Sequence, residues 1–134
     1  MVDDEKDILD LFNEYLSSNG YNVISFNNPI YALEYFYQNI SNCSVVITDY
    51  KMPQMSGIDF IKKIREKEKN TAYKIKTIII SAFIKDSLPY DKSYIKMVDR
   101  ILEKPVYLDR LKKEVDKLTS INIHQKSDRN KKNK

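Results

Sequence analysis

The feature that most constrains the fold is a run of four apolar or β-branched residues, Val45 to Thr48, which ends at a carboxylate, Asp49. Such a run is typical of a strand covered on both faces, as in a parallel sheet flanked by helices. Ligands bind to α/β sheets at the carboxyl ends of their strands. We therefore expect Asp49 to lie at a functional edge, before a loop that contains Pro53 and ends at Gly57.

Helix and strand patterns alternate along the rest of the chain. Apolar residues recur at helical spacing over 7–19, 29–39, 58–64 and 106–118, a weaker helix is predicted over 86–98, and strand patterns cover 21–26, 76–82 and 100–103. This alternation predicts an α/β fold with a parallel sheet and helices on both faces. Only Met1 and Val2 precede the acidic residues Asp3 and Asp4, so the first strand is truncated, because a strand needs about five residues.

Composition excludes several kinds of site. The chain has 134 residues and a single cysteine, Cys43, which rules out an internal disulfide framework and a thiolate zinc site built from this chain alone. No apolar run approaches the roughly 20 residues that a membrane span needs. The acidic start is unlike a signal peptide. We therefore expect one cytoplasmic domain without a membrane span.

The net charge of +4 lies in the last fifteen residues. Residues 120–134 carry five basic side chains and one acidic one, whereas residues 1–119 hold 18 of each sign. We expect a folded domain over 1–119 and a basic, disordered tail over 120–134. Direct nucleic-acid binding is not expected, except weakly through this tail.

Chemically useful side chains fall at the ends of the predicted strands. These are the pair Asp3 and Asp4, then Asp49, Ser81 and Lys104. Three carboxylates about 4 Å apart repel by roughly 4 kcal/mol per pair at an effective dielectric of 20, so the cluster needs a cation. Oxygen ligands favour Mg²⁺, and the hydroxyl and ammonium groups can donate to phosphoryl oxygens. Together these groups predict phosphoryl transfer to Asp49 as the nucleophile.

Four fragments carry a resemblance to a known family: VDDE at 2–5, DYKMPQMSG at 49–57, IISA at 79–82 and EKP at 103–105. With these fragments in this order, the sequence resembles the receiver domain of two-component response regulators over residues 1–119. The resemblance implies a flavodoxin-like, doubly wound, five-stranded sheet of order 2-1-3-4-5 with five helices. It also implies that Asp49 accepts a phosphoryl group from a phosphohistidine on a sensor histidine kinase or a phosphotransfer protein.

The resemblance implies roles for individual positions. Mg²⁺ would be bound by Asp3, Asp4, Asp49 and the backbone carbonyl of Lys51. Ser81 would move to bond the phosphoryl group, Ala82 would leave access to it, and Lys104 would pair with it. Gly57 would let the loop close over the site, and the bond between Lys104 and Pro105 would be cis.

Two features depart from the family pattern. The aromatic switch residue expected three positions before the lysine is replaced by Ile101. The truncated first strand would leave its neighbours unpaired, so this chain should be less stable than a complete receiver. Either the start codon is misassigned and the strand is encoded upstream, or this is a degenerate receiver.

The leading hypothesis is a stand-alone phosphoacceptor that is not an enzyme, although it supports its own phosphotransfer and hydrolysis, and that switches binding to a downstream protein. A pseudo-receiver that binds partners without phosphorylation is the alternative. A phosphatase of the haloacid dehalogenase type would need an acid at the position of Lys51. The sequence leaves open whether the chain forms a homodimer.

Overall fold

A computed structural model of the chain describes residues 1–82 and 92–119. The helices are α1 (Lys6–Ser18), α2 (Pro29–Asn39), α3 (Gly57–Glu68) and α4 (108–119), and the strands are β1 (Val45–Asp49), β2 (Lys76–Ser81) and β3 (Arg100–Glu103). Short 3-10 helices cover Ile40–Asn42 and Lys92–Lys96. The helix predicted over 86–98 lies partly outside the described residues, and the tail over 120–134 lies wholly outside them.

The strands form a parallel sheet of order β1-β2-β3. Asp49 lies opposite Ile80, and Ser81 lies opposite Glu103, so the strands end at a common edge. The last four residues of β1 and the last five of β2 are buried. The prediction of strands covered on both faces is therefore confirmed.

Helices pack on both faces of the sheet. On one face, side chains of α1 and α4 pack against the strands in a cluster that includes Phe12, Leu16, Ile47, Ile78, Leu111 and Val115. On the other face, α2 and α3 contribute to a cluster that includes Leu33, Phe36, Val46, Phe60 and Ile64. Neighbouring residues of β1 enter opposite clusters, as the alternation of side chains along a strand requires. In the part of the chain that the structure describes, no helix is long and apolar enough to cross a membrane.

The start of the chain pairs with two segments through Val2. This residue makes isolated parallel bridges to Phe26 and Thr48. Its N–H donates to the Ile47 carbonyl at 2.8 Å, and its own carbonyl accepts from the Asp49 N–H at 2.9 Å. The strand predicted over 21–26 is reduced in the structure to the bridge at Phe26. The five-stranded order therefore stays a prediction.

A cavity of about 590 Å³ opens where the first strand is short. It is lined in part by the 21–26 segment, α2 and β1, including Val23, Ile24, Phe36 and Val45, and by Met1. The amino group of Met1 donates to the Ile24 carbonyl at 2.8 Å, and burial lowers the pKa of this amino group to about 6. The cavity therefore lies between the 21–26 segment and β1.

Candidate functional site

Three carboxylates meet at the carboxyl edge of the sheet. The bridge of Val2 to Thr48 brings Asp3 and Asp4 beside the end of β1. One oxygen from each of Asp3, Asp4 and Asp49 lies within 4.8 Å of the other two. Asp3 is 1% exposed and Asp49 is 5% exposed, whereas Asp4 is open to solvent. Two of the three carboxyl groups at this edge are therefore shielded from solvent.

Lys104 follows β3 and points its ammonium at Asp49. Its Nζ lies 3.0 Å from Asp49 Oδ1 and 4.0 Å from Glu5 Oε1. The peptide bond between Lys104 and Pro105 is cis. Ser81, which is 1% exposed, lies at the end of β2, and its carbonyl accepts from the Lys104 N–H at 2.8 Å. The parallel register thus brings Ser81 and Lys104 to the edge where the sequence predicts them.

Burial shifts the titration of these acids. It raises the pKa of Asp3 to about 6, although a 2.9 Å hydrogen bond from the Glu5 N–H lowers that pKa and the charge of Asp49 adds to the rise. Burial also raises the pKa of Asp49, despite its hydrogen bond from Lys104. Burial is the largest influence on Lys104 and lowers its pKa, but the hydrogen bond to Asp49 and the charges of Asp49, Asp3 and Glu5 together outweigh it, and the net pKa is raised. One ammonium does not balance three carboxylates, so the site can accommodate a hard cation.

The loop after Asp49 is held by close backbone contacts. The Tyr50 N–H donates to Asp49 Oδ1 at 3.0 Å, and the Tyr50 carbonyl accepts from the Gly57 N–H at 2.7 Å. A Cβ on Gly57 would lie 2.4 Å from the Asp49 carbonyl oxygen, so glycine is required here. Lys51 and Pro53 are exposed in the loop.

Two further positions that the sequence predicts as functional, Ala82 and Ile101, lie after β2 and within β3. Ala82 is exposed directly after Ser81, and Ile101 is half-buried in β3 opposite Ile79. Ile101 presents no ring, as the sequence indicates. Sequence reasoning missed Glu5, whose carboxylate reaches toward Lys104, although its place after two aspartates could have indicated a site acid.

The arrangement suits chemistry on a phosphoryl group. Asp49 offers a carboxylate oxygen as a nucleophile, and the Lys104 ammonium lies where it can pair with an anionic oxygen. The three acids offer the all-oxygen donor set that Mg²⁺ prefers.

Comparison with known proteins agrees with this geometry. The profile described as "Response regulator receiver domain" matches residues 1–116. The Staphylococcus epidermidis "Response regulator SaeR" is 36% identical over 66 residues, which cover 49% of this chain and only 28% of SaeR. The Brucella abortus "Response regulator receiver protein CpdR" is 26% identical over 118 residues, which cover 88% of this chain and 92% of CpdR.

A solved structure of another response regulator is also similar to this chain. The Thermotoga maritima response regulator TrrA, solved in complex with Mg²⁺-BeF, is 32% identical with a TM-score of 0.71. The match covers 87% of this chain and 94% of that one. The chain therefore belongs to the response regulator receiver domain family.

Proposed function

We propose that this receiver domain is a phosphoacceptor whose Asp49 takes a phosphoryl group from a phosphohistidine of a sensor histidine kinase or a phosphotransfer protein. One observation carries the proposal: Asp49 is a buried carboxylate with an ammonium 3.0 Å from one oxygen and two further acids beside it. A buried aspartate that served only to cap a turn would need neither the ammonium nor the acids.

The transfer exchanges one bond to phosphorus for another. A carboxylate oxygen of Asp49 bonds to phosphorus while the bond from phosphorus to the donor imidazole nitrogen breaks, and the imidazole leaves with the bonding electron pair. Lys104 would then pair with an oxygen of the bound group, and the hydroxyl of Ser81 would donate to another. Ala82, small and exposed, leaves room for the donor.

The acids are proposed to hold Mg²⁺. Asp3, Asp4, Asp49 and the backbone carbonyl of Lys51 would be its ligands, and the solved complex of TrrA with Mg²⁺-BeF supports this choice of ion. The ion would neutralise negative charge on the phosphoryl oxygens. Pro53 and Gly57 would hold the loop that presents the Lys51 carbonyl.

The output is proposed to be a change in binding to a downstream protein. The sheet order 2-1-3-4-5 is the finer proposal for the fold, with 21–26 as the outer strand and a truncated first strand of about Met1 and Val2 beside it. The stand-alone arrangement, the cytoplasmic location, a homodimer and the hydrolysis of the aspartyl phosphate by the domain itself stay predictions.

The alternative is a pseudo-receiver that binds partners without phosphorylation. It is favoured by the single bridges at Val2 and by Ile101, which has no ring to report a change. The 3.0 Å contact between Lys104 and Asp49 favours the phosphoacceptor.

Intact mass spectrometry after incubation with Mg²⁺ and acetyl phosphate tests the proposal. The wild type should gain one phosphoryl group, and Asp49→Asn should gain none. Asp10→Asn, which changes an exposed acid on α1, is the matched control and should behave as the wild type. A folded wild type that gains no group, or a gain that Asp49→Asn leaves unchanged, would contradict the phosphoacceptor.

A further inference from the structure

A third apolar cluster connects the residue after Asp49 to the segment before β3. Its buried members are Ile58, Ile61, Ile79 and Tyr94, and its half-buried neighbours are Tyr50, Met97, Val98 and Ile101. The cluster spans α3, β2 and the 3-10 helix Lys92–Lys96. We call it the Tyr94 cluster.

Tyr50 contacts both the candidate site and this cluster. Its N–H donates to Asp49 Oδ1 at 3.0 Å and also to the Ile80 carbonyl at 2.8 Å. Its side chain packs against the Tyr94 cluster. Converting the Asp49 carboxylate into an acyl phosphate makes one of its oxygens a bridge to phosphorus, moves the negative charge onto the phosphoryl oxygens and changes which oxygen can accept from this N–H. A change at Asp49 therefore acts directly on a residue that also packs against the cluster.

The side chains of the two tyrosines meet in the same cluster. Tyr50 packs against the buried set that contains Tyr94, together with Ile58 and Ile79. A displacement of Tyr50 therefore disturbs the packing in which Tyr94 is buried.

Tyr94 fastens the Lys92–Lys96 helix to the domain. It is 7% exposed, whereas the other four residues of that helix are exposed. Its carbonyl accepts from the N–H groups of Met97 at 2.9 Å and Val98 at 3.1 Å, which closes the turn that leads into β3. A 3-10 helix of five residues has poor hydrogen-bond geometry of its own, so its position depends on this anchor.

We infer that Tyr94 is the positioning residue that transmits phosphorylation of Asp49, through Tyr50, to the surface formed by residues 92–98. In this chain the ring of Tyr94 responds to the change at Asp49, because Ile101 has no ring that could do so. The inference rests on the proposed function, because it names how that same site is read.

Hydrogen exchange of the 92–98 amides, followed by mass spectrometry with and without Mg²⁺ and acetyl phosphate, tests the inference. Phosphorylation should change the exchange of these amides in the wild type and in Tyr94→Phe, which keeps the ring. In Tyr94→Leu the change should be lost, although intact mass should still show one phosphoryl group on the protein. Tyr73→Leu, at an exposed tyrosine after α3, should respond as the wild type does.

The outcomes separate this inference from the proposed function. A phosphorylated Tyr94→Leu with the wild-type exchange response would overturn the role of Tyr94 and leave Asp49 as the acceptor. Loss of the response in Tyr94→Phe as well would also overturn it, since the ring would then be insufficient. A folded wild type that takes no phosphoryl group would overturn the phosphoacceptor itself, and this inference with it.

Discussion

The Asp49 carbonyl oxygen lies 2.4 Å from the place that a Cβ of Gly57 would occupy. This contact couples the end of β1 to the start of α3, because Gly57 is also the residue whose N–H donates to the Tyr50 carbonyl. The loop that contains Lys51, whose carbonyl is proposed above as a Mg²⁺ ligand, is therefore closed by a contact that leaves no room for a methyl group.

Gly57→Ala should therefore damage both the fold and the site. Backbone must shift to admit the methyl group, and we expect the free energy of unfolding to fall by about 1–3 kcal/mol, the usual cost of overpacking. Urea unfolding would measure this fall, and a Mg²⁺ titration should show weaker binding. Gly20→Ala is the contrasting variant: Gly20 has φ 94° and no atom within 4 Å of its added Cβ, so it should lose stability by backbone strain alone. Equal Mg²⁺ affinities in the two variants would contradict a link from Gly57 to the site.

Lys104→Met should slow phosphorylation without preventing folding. The Lys104 ammonium is the basic group 3.0 Å from Asp49, and loss of one preorganised donor costs about 10²–10³ in rate in characterised sites. The rate of phosphoryl gain from acetyl phosphate, followed by intact mass, would show the effect. Lys62→Met, at an exposed lysine on α3, should keep the wild-type rate. A Lys104→Met rate equal to that of the wild type would remove Lys104 from the transfer.

Much of this site follows from the sequence because it depends on patterns that are local. Val45 to Asp49 forms a buried strand, as its composition predicts, and parallel topology then brings Lys104 to the same edge. The strand predicted over 21–26 fails for a non-local reason. A ladder extends only as far as both strands pair, and residues 1–3 pair with this segment through the single bridge of Val2 to Phe26.

The Tyr94 cluster could not be read from the sequence for a similar reason. Tyr94 lies in a weak helical pattern, and its burial depends on side chains from α3 and β2 that are far away along the chain. Glu5 was missed because its approach to Lys104 depends on the position of β3.

Asp3 should make the metal-free protein less stable as the pH rises. Burial raises the pKa of Asp3 from 3.8 to about 6 in the folded state, so between these values the folded state holds the proton more tightly than the unfolded state does. Its contribution to stability is therefore lost as the pH rises from about 4 to about 6. Asp3→Asn should remove this loss and unfold at higher urea than the wild type at pH 7 without metal.

Added Mg²⁺ should reverse that order. Mg²⁺ should raise the urea midpoint of the wild type more than that of Asp3→Asn, because a ligand is missing from the variant. Asp7→Asn, at an exposed acid on α1, should follow the wild type in both conditions. An Asp3→Asn variant that gains as much from Mg²⁺ as the wild type would argue against Asp3 as a ligand.

A short amino-terminal extension should stabilise the domain. Four apolar, β-branched residues placed before Met1 would fill part of the 590 Å³ cavity and offer backbone partners to the 21–26 segment and β1. Burying one such side chain contributes about 1.5–3 kcal/mol, so the free energy of unfolding should rise by at least about 1.5 kcal/mol. An extension of four glycine and serine residues is the matched control and should give little of this gain.

The same extension should remove a pH dependence. Burial lowers the pKa of the Met1 amino group from 8.0 to about 6, so the unfolded state binds its proton more tightly between these values, and stability should rise from pH 6 to pH 8. An extension turns this amine into an amide, which does not titrate, so both extended proteins should lose the rise. Urea unfolding at pH 6 and pH 8 measures this rise in the free energy of unfolding. If the apolar extension left the unfolding free energy at or below that of the glycine and serine control, the idea that this cavity can take up an added strand would be wrong.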